Sequence, residues 1–364
     1  MSSSSLLFGV MSGTSIDGID IILIDKINMK IKVLDFLHLP YESQIKNKIL
    51  ALHIPSHNDL EASIQTSKIH AKITASGINQ ILKKLNIKTS LVKAIGYHGQ
   101  TIRHKPDMQY SIQIGDAHLL AELTKISVVS DFRNRDLVAG GQGAPLVPTF
   151  HQDIFSSKNK NRVILNIGGI SNITFLPTQD SILGFDCGPG NILLDHWIKE
   201  HKNLNYDTAG KWARSGTLIK ELLTSFLKED FFKKIPPKST GRDLFNLEWI
   251  NRHIKKEYSL EDIQNTLVEL TAISIINSIN KFCPKTDEIY ICGGGSQNLY
   301  LLERIKSLSA LDIKTTNNLN IPPQQVESIA FAWLADKTMQ KQFNNTPSVT
   351  GAHGPRILGT VHFS

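Results

Sequence analysis

The chain has 364 residues, 41% of them apolar, 20% charged and 7% aromatic. That suffices for about two domains, each with its own core, and excludes disordered, collagen-like and disulfide-scaffold classes. The formal charge is +7, but the lysines are scattered through helical segments (Lys46, Lys48, Lys68, Lys83, Lys84) with no aromatic–basic stripe. A solvated surface is expected, not a nucleic-acid face.

Cys187, Cys283 and Cys292 show no CxxC spacing, so neither a disulfide framework nor a zinc site is expected. Met1–Val10 has no basic leader and no apolar run long enough for a signal peptide. Nothing approaches the ~18 consecutive apolar residues of a membrane span. A cytoplasmic protein is expected.

Leu6–Met11 reads as a strand, Ser12–Gly18 as a polar glycine turn and Ile19–Asp25 as the return strand of a hairpin. Val33–Leu39 adds a strand. Glu42–His53 and Glu61–Leu85 carry helical spacing of apolar residues. Val92–Tyr97 reads as a buried strand ending in His98-Gly-Gln-Thr101, with His98 and His104 flanking a loop. Ser111–Ile114 is short and extended, Ala117–Thr124 helical and Ser127–Asp131 a strand.

The second half restates this plan. Arg162–Ile167 is a strand, Gly168–Asn172 a turn and Ile173–Leu176 the return. Ile182–Phe185 is closed by Asp186-Cys-Gly-Pro-Gly-Asn191, and Ile192–Lys199 starts a helix. Leu218–Lys228 and Leu260–Phe282 are helical. Glu288–Cys292 is a strand, and Gly293–Asn298 opens the helix Leu299–Leu308. Ile357–His362 is a strand returning to the first lobe. The two glycine hairpins point to an internal duplication: two α/β lobes, residues 1–133 with about 348–364, and 134–347, around a shared cleft.

The Ser12–Asp20 segment offers backbone N–H groups and hydroxyls to an anion, with no Cβ blocking Gly13 or Gly18. Asp17 would repel a phosphate unless a divalent cation lay between them, which suggests Mg-nucleotide. An ordinary hairpin turn uses the same residues. Gly168, Gly169 and Asn172 make a similar offer from the second lobe. Gly293, Gly294 and Gly295 permit close approach of a ring or phosphate beside a helix start, or simply satisfy packing.

Asp186 ends an apolar strand before a tight turn, where ligands of open α/β sheets bind and a carboxylate can act as general base. Asn191 is the better helix cap, leaving Asp186 free. Arg133 and Arg135 could grip an anionic group bidentately or belong to an ion network. His98 and Gln100 supply neutral partners for a polyhydroxylated ligand. Glu327, before the helical 328–336, binds substrate or favours the helix N-terminus. Cys187 reads as packing.

MSGTSIDGID (11–20), GYHGQTIRH (96–104), DFRNRDLVAGGQGAPLVP (131–148), NIGGISN (166–172), GFDCGPGN (184–191), PKSTGRDLFN (237–246), CGGGSQN (292–298) and SVTGAHGP (348–355) together resemble the anhydro-N-acetylmuramic acid kinases. The resemblance runs in order over nearly the whole chain. It implies two ribonuclease-H-like lobes of the actin/hexokinase-like ATPase fold, with a cleft closing on ATP and Mg2+. It also implies opening of a 1,6-anhydro amino sugar coupled to O6 phosphorylation, in cytosolic recycling of cell-wall fragments, by a homodimer.

Carried over by residue, Asp186 resembles the general base. Gly13, Thr14, Ser15, Ile16, Asp17, Gly18, Ile19 and Asp20 match the ATP-binding segment. His98, Gln100, Arg133 and Glu327 match positions expected around the sugar. A conventional sugar kinase of the same fold, or an actin-like or heat-shock-chaperone-like ATPase, are the alternatives, because fold alone does not fix function.

Overall fold

The computed structural model describes residues 4–27 and 30–364; residues 1–3, the start of the segment read above for a leader, and 28–29 lie outside them. In chain order the strands are β1 (Ser5–Ser12), β2 (Gly18–Ile27), β3 (Lys30–Pro40), β4 (Val92–Lys105), β5 (Tyr110–Ile114) and β6 (Val128–Ser130). They continue with β7 (Arg162–Ile167), β8 (Ile170–Leu176), β9 (Leu183–Pro189), β10 (Glu288–Cys292), β11 (Asp312–Thr315) and β12 (Thr360–His362). Four helices bear on the sites: α1 (Asp59–Leu85), α2 (Ile192–Lys202), α3 (Leu260–Phe282) and α4 (Val326–Met339).

The chain divides into two compact units, Met1–Ile154 with Gln325–Ser364, and Phe155–Gln324. The boundaries expected at 133/134 and 347/348 both fall inside the first unit. Two contacts explain the shift. The buried Asp136 carboxylate accepts from Gly143 N–H, Asn345 Nδ2 and Thr350 Oγ1, tying the glycine-rich loop to the tail. And α4 lies directly on β1 and β4, where a Cβ on Gly9 or Gly96 would meet the backbone of 328–332.

In the first unit the strand order is β12-β6-β4-β1-β2-β3, with β5 paired to β4. β1, β2 and β3 form an antiparallel meander, β4 runs parallel to β1, and β6 parallel to β4. Central strands read as continuous apolar runs because both faces are covered. One face packs Phe8, Val10, Ile21, Leu23 and Ile95 against Ala71, Ala75, Ile78 and Leu82 of α1. Asp59 and Glu61 in the first turn of α1, and Lys83 and Lys84 in its last, complement the helix dipole.

In the second unit the order is β11-β10-β7-β8-β9. Strands β7, β8, β9, β10 and β11 repeat the order and directions of β1, β2, β3, β4 and β6. This is the ribonuclease-H-like pattern twice, and the duplication read from the two hairpins is present. The core gathers Phe185, Trp197, Trp249, Leu267 and Ile275. α3 is buried around most of its circumference, so its polar residues need partners. Asn265 Nδ2 donates to the carbonyls of Ala213 and Gly216, and Thr271 Oγ1 to that of Gly190.

Two strands run further than their composition suggested. β4 continues through His98–Thr101 to Lys105, so His98 and His104 lie on a strand and flank no loop. β9 continues through Asp186 to Pro189, which places Asp186 within the strand instead of at its end. The ladder partners explain both: β5 pairs with 100–105, and β8 pairs with 183–189. Gly99 (φ +69°) and Gly188 (φ +150°) supply backbone that other residues rarely adopt.

Candidate active site

The Ser12–Gly18 turn of the first unit joins β1 to β2. Ile16 N–H donates to the carbonyl of Gly13 at 3.2 Å. Ile16 is β-branched, sits at φ +53° and is buried among Ile49, Leu52, Ile102 and Ile114. That conformation is costly for such a residue, so packing beneath the turn holds it. Ile16 and Ile19 are therefore anchors and do not face a ligand, whereas Gly13, Thr14, Ser15 and Asp17 lie at the surface. A Cβ on Gly13 would meet only Ser15 Oγ, at 3.8 Å. Ser15 Oγ donates to Asp17 at 2.9 Å, and Asp20 pairs with His38 Nδ1 at 2.7 Å.

A second cluster of the first unit joins His98, Arg133 and Glu327. Arg133 Nη1 donates to the Gly143 carbonyl at 2.8 Å and Nη2 to His98 Nε2 at 2.9 Å. His98 Nδ1 meets the Gly99 carbonyl at 2.7 Å, so the ring is neutral with its proton on Nδ1. Burial, then the Arg133 charge, pushes His98 down to about 3. Arg133 falls to about 10 through burial, with the Glu327 carboxylate opposing. Glu327 occupies the first turn of α4, one residue inside the helix it was read as preceding.

Gln100 departs from the expectation. It is fully buried, and its amide is spent on the protein: Nε2 donates to the carbonyls of Gly13 and Thr101, and Oε1 accepts from Ser12 Oγ. Both of its donors are spent, and its Oε1, with one lone pair on Ser12, is buried away from solvent and from any sugar hydroxyl.

In the second unit the Gly168–Gly169 turn is clamped by the start of α2. Gly190, Asn191 and Ile192 donate their N–H groups to the carbonyls of Gly169, Gly168 and Gly169. Asn191 does not cap α2 with its side chain; Nδ2 donates instead to the carbonyls of Ile167 and Gly168. Gly190 is required, since a Cβ there would lie 2.4 Å from the Gly168 carbonyl oxygen.

Gly293 and Gly295 answer to packing against the end of β7, where their Cβ atoms would approach Asn166 and Ile167 to 2.3 Å. Only Gly294 of the three has open space around it. Gly294 and Gly295 lie within a short 3-10 turn, Gly294–Gln297, which precedes the next helix, capped by Asn298.

Asp186 is partly open on β9, opposite Asn172 on β8, and beside a bulge at Cys187. Such bulges re-aim side chains next to sites. The 238–240 segment runs alongside: Asp186 N–H donates to the Lys238 carbonyl at 3.1 Å, and Thr240 N–H donates to Asp186 Oδ2 at 2.9 Å. Desolvation pushes the carboxyl up to about 7, against the opposing pull of the Thr240 N–H and the Lys238 ammonium. That ammonium is itself buried over the rings of Phe231 (4.7 Å), Phe282 (5.7 Å) and Phe185 (5.9 Å). Cys187 is buried, and burial pushes its thiol far up, so it packs and does not attack.

A family model described as anhydro-N-acetylmuramic acid kinase matches residues 5–364. Anhydro-N-acetylmuramic acid kinases of Nitrosospira multiformis and Pseudomonas paraeruginosa are 45% and 44% identical, each over 97% of this chain and 98% of the relative. The chain belongs to the anhydro-N-acetylmuramic acid kinase family. Among solved structures, the activator of 2-hydroxyisocaproyl-CoA dehydratase from Clostridium difficile has a TM-score of 0.46 at 11% identity, covering 94% of this chain and 96% of that one. Component A of the Acidaminococcus fermentans (R)-2-hydroxyglutaryl-CoA dehydratase gives 0.48 at 12% identity, over 92% and 99%.

The PKSTGR segment carries the family resemblance, but its residue types alone point to no task. In the structure Lys238 and Thr240 are the groups that touch or tune Asp186. The flanks of Lys238, with Lys233, Lys234, Arg242 and Asp243, gave no sign that it is buried among aromatic rings; only the fold brings Phe185, Phe231 and Phe282 around it. Ser12 was read only as part of the turn, and Tyr41, which bonds it at 2.7 Å, carried no signal.

Proposed function

We propose that this chain hydrolytically opens the 1,6-anhydro ring of anhydro-N-acetylmuramic acid and phosphorylates O6, yielding N-acetylmuramic acid 6-phosphate and ADP during cell-wall recycling. The observation that carries the reading is Asp186: a carboxylate with proton affinity near neutrality, in a chain that matches the family almost end to end. Asp186 takes a proton from the water that forms the new bond to C1 as the C1–O6 bond breaks. The cleaving acetal has oxocarbenium character, which a carboxylate facing C1 stabilises. The released O6 takes the γ-phosphoryl group of ATP, and ADP leaves. Phosphoryl transfer of this kind rests on alignment and charge neutralisation.

In this reading the first unit contributes the sugar contacts. Arg133 uses one N–H of each Nη nitrogen on Gly143 and His98, which leaves the second N–H of each to meet the lactyl carboxylate, and neutral His98 holds the guanidinium in place. Glu327 accepts from sugar hydroxyls. The turns containing Gly13, Gly168, Gly169 and Gly294 receive the nucleotide, and the space a Cβ would fill at Gly13 and Gly294 suits close approach of a phosphate or ring. The residues present fit a Mg2+ carried on the triphosphate: among the described residues no group of three or more His, Cys, Asp or Glu could hold a metal, and Asp17 is an exposed single carboxylate. Mg2+ keeps most of its waters and takes one or two carboxylates, and would neutralise phosphate charge there. A homodimer in the cytoplasm belongs to the same reading; no helix among the described residues is long and apolar enough to cross a membrane.

The test is ADP release from Mg-ATP with anhydro-N-acetylmuramic acid, with N-acetylmuramic acid, or with no sugar. Release with the anhydro sugar alone is the expected result. Release with the open sugar instead makes the chain a conventional kinase, and sugar-independent release makes it an ATPase.

A further inference from the structure

We propose that Gln100 is a positioning residue of the nucleotide turn: its buried side-chain amide fixes the Gly13 carbonyl, and through it the backbone of the Ser12–Gly18 turn. The inference rests on the reading that this turn receives phosphates, and it assigns Gln100 to ATP where the sequence placed it with the sugar.

The argument is one of hydrogen-bond capacity. A primary amide has two N–H donors and a carbonyl acceptor. Gln100 Nε2 spends both donors, on Gly13 O (3.1 Å) and Thr101 O (3.2 Å). Its Oε1 lies 2.5 Å from Ser12 Oγ, across 88 residues of sequence. Ser12 has one hydroxyl proton and two carbonyl acceptors, Gln100 Oε1 and the more distant Gly18 O at 3.1 Å. The shorter contact takes it, and Tyr41 Oη, 2.7 Å away, then donates to Ser12. The order Tyr41 to Ser12 to Gln100 to Gly13 is therefore set in one direction, and the amide cannot flip without placing oxygen against two carbonyls. A buried amide is tolerated only when satisfied in this way.

The register puts this hub at the root of the turn. β1 and β4 are parallel, and Ser12 lies opposite Gln100 after an irregularity that follows Val10. Gly13 O thus accepts twice, from Ile16 N–H within the turn and from Gln100 across the sheet. Ile16 holds the turn from below by packing, at a strained φ, while Gln100 holds it from the side. Without the amide, the Gly13 carbonyl loses its cross-strand donor and the strained Ile16 is free to relax. The N–H groups of the turn then lose the fixed direction on which anion binding depends.

The experiment is steady-state ADP release by the full chain, with KM for Mg-ATP and for anhydro-N-acetylmuramic acid measured separately, on Gln100→Leu, Ser12→Ala and Ser15→Asp. Gln100→Leu should raise KM for ATP about tenfold and leave KM for the sugar within about twofold. Ser12→Ala keeps the amide and removes only its donor, so a smaller rise of about threefold in the same KM is expected, and it serves if Gln100→Leu does not fold. A rise in the sugar KM with the ATP KM unchanged overturns the proposal and returns Gln100 to the sugar. Ser15→Asp sets a charge on the exposed face of the turn. If it weakens ATP while Gln100→Leu and Ser12→Ala do not, the positioning role fails alone. If Ser15→Asp leaves ATP untouched, the phosphate reading of the turn fails with it.

Discussion

Arg133 Nη2 lies 2.9 Å from His98 Nε2, and this bond settles the charge of both residues. A guanidinium only donates, so Nε2 must accept, and the imidazole is neutral with its proton toward the Gly99 carbonyl. With His98 pushed down to about 3 and Arg133 at about 10, neither changes charge between about pH 5 and pH 8. Arg133→Ala should raise the sugar KM by about one to two orders of magnitude with a smaller effect on kcat, because it removes binding made in ground and transition states alike. Arg133→Lys should rescue little, since one ammonium cannot bridge Gly143 O and His98 while also gripping a carboxylate. A sugar KM unchanged by both substitutions would assign Arg133 to the loop it braces.

If Asp186 is the general base as proposed, it sets the acid limb of the pH profile. The carboxylate form is the base, so kcat/KM should fall as pH drops through about 7, the value that burial gives the free protein. Lys238→Met removes the nearby positive charge that favours ionisation, so the limb should move to higher pH. A limb that stays in place would exclude Lys238 from tuning the base. Asp186→Asn should lower kcat about a thousandfold while nucleotide binding, followed with a fluorescent analogue, stays near wild type.

The same carboxylate makes a prediction about stability. Its proton affinity is raised on folding, so the native state binds the proton more tightly than the unfolded chain. Stability from this group therefore falls as pH rises from about 4 to about 7 and stays reduced above that. Asp186→Asn removes the penalty. The variant should melt above wild type at pH 8, with the difference closing toward pH 4, in calorimetric scans of both proteins. This is the trade of stability for a functional group that active sites often show.

The elements were legible where a single period ran unbroken. Arg162–Ile167, Ala117–Thr124, Leu260–Phe282 and Glu288–Cys292 have the bounds read from the sequence. The misreadings fall where polar and glycine residues continue a strand. His98-Gly-Gln-Thr and Asp186-Cys-Gly-Pro have turn composition, yet β5 and β8 give them ladder partners that no local window contains. Gln100 was legible as a polar residue after an apolar strand, which is the usual address of a ligand contact. Its true partners are Ser12 and Gly13, brought alongside only by the β1–β4 pairing. The pattern of two glycine hairpins was enough to see the duplication, because a hairpin and its turn are local in the chain. The helix α4, by contrast, joins the first unit through glycines that carry no hydrophobic signal.

Those glycines support a prediction of their own. Gly9 and Gly96 are paired in register on β1 and β4. A Cβ on Gly9 would lie 1.8 Å from the Ser328 carbonyl oxygen, and one on Gly96 2.0 Å from that of Phe331. Neither neighbour can yield without lifting the helix. Gly96→Ala should cost about 3 kcal/mol or more in urea unfolding, the upper range for overpacking. It should also raise the sugar KM, because Phe331 contacts the ring of His98 and Glu327 rides on the same helix. An alanine accepted without loss of stability would mean that the helix does not depend on this close approach.

The far end of α4 is held by charge. Asp336 is 1% exposed and meets Lys26 of β2 and Lys93 of β4, each at 2.6 Å. Burial alone would raise its carboxyl, but the two ammonium groups outweigh it and hold the carboxyl below the usual value. A lowered value on folding means stability that is present above about pH 4 and lost as pH falls through the native value. Asp336→Asn leaves two ammonium groups without their counter-charge. Because Lys93 is 31% exposed and can turn toward water, the loss at pH 7 should lie near the low end of the range for broken buried pairs, about 3 kcal/mol. The gap between the variant and wild type should close as pH falls through the lowered native value, where the wild-type carboxyl also becomes neutral. Replacing Lys26, Lys93 and Asp336 together with Met, Met and Leu should recover most of the loss, since a packed apolar trio needs no counter-charge. Urea unfolding at pH 7 and at descending acid pH reads all three proteins, and an Asp336→Asn deficit that never narrows as the pH falls would mean that packing, not charge, anchors the helix.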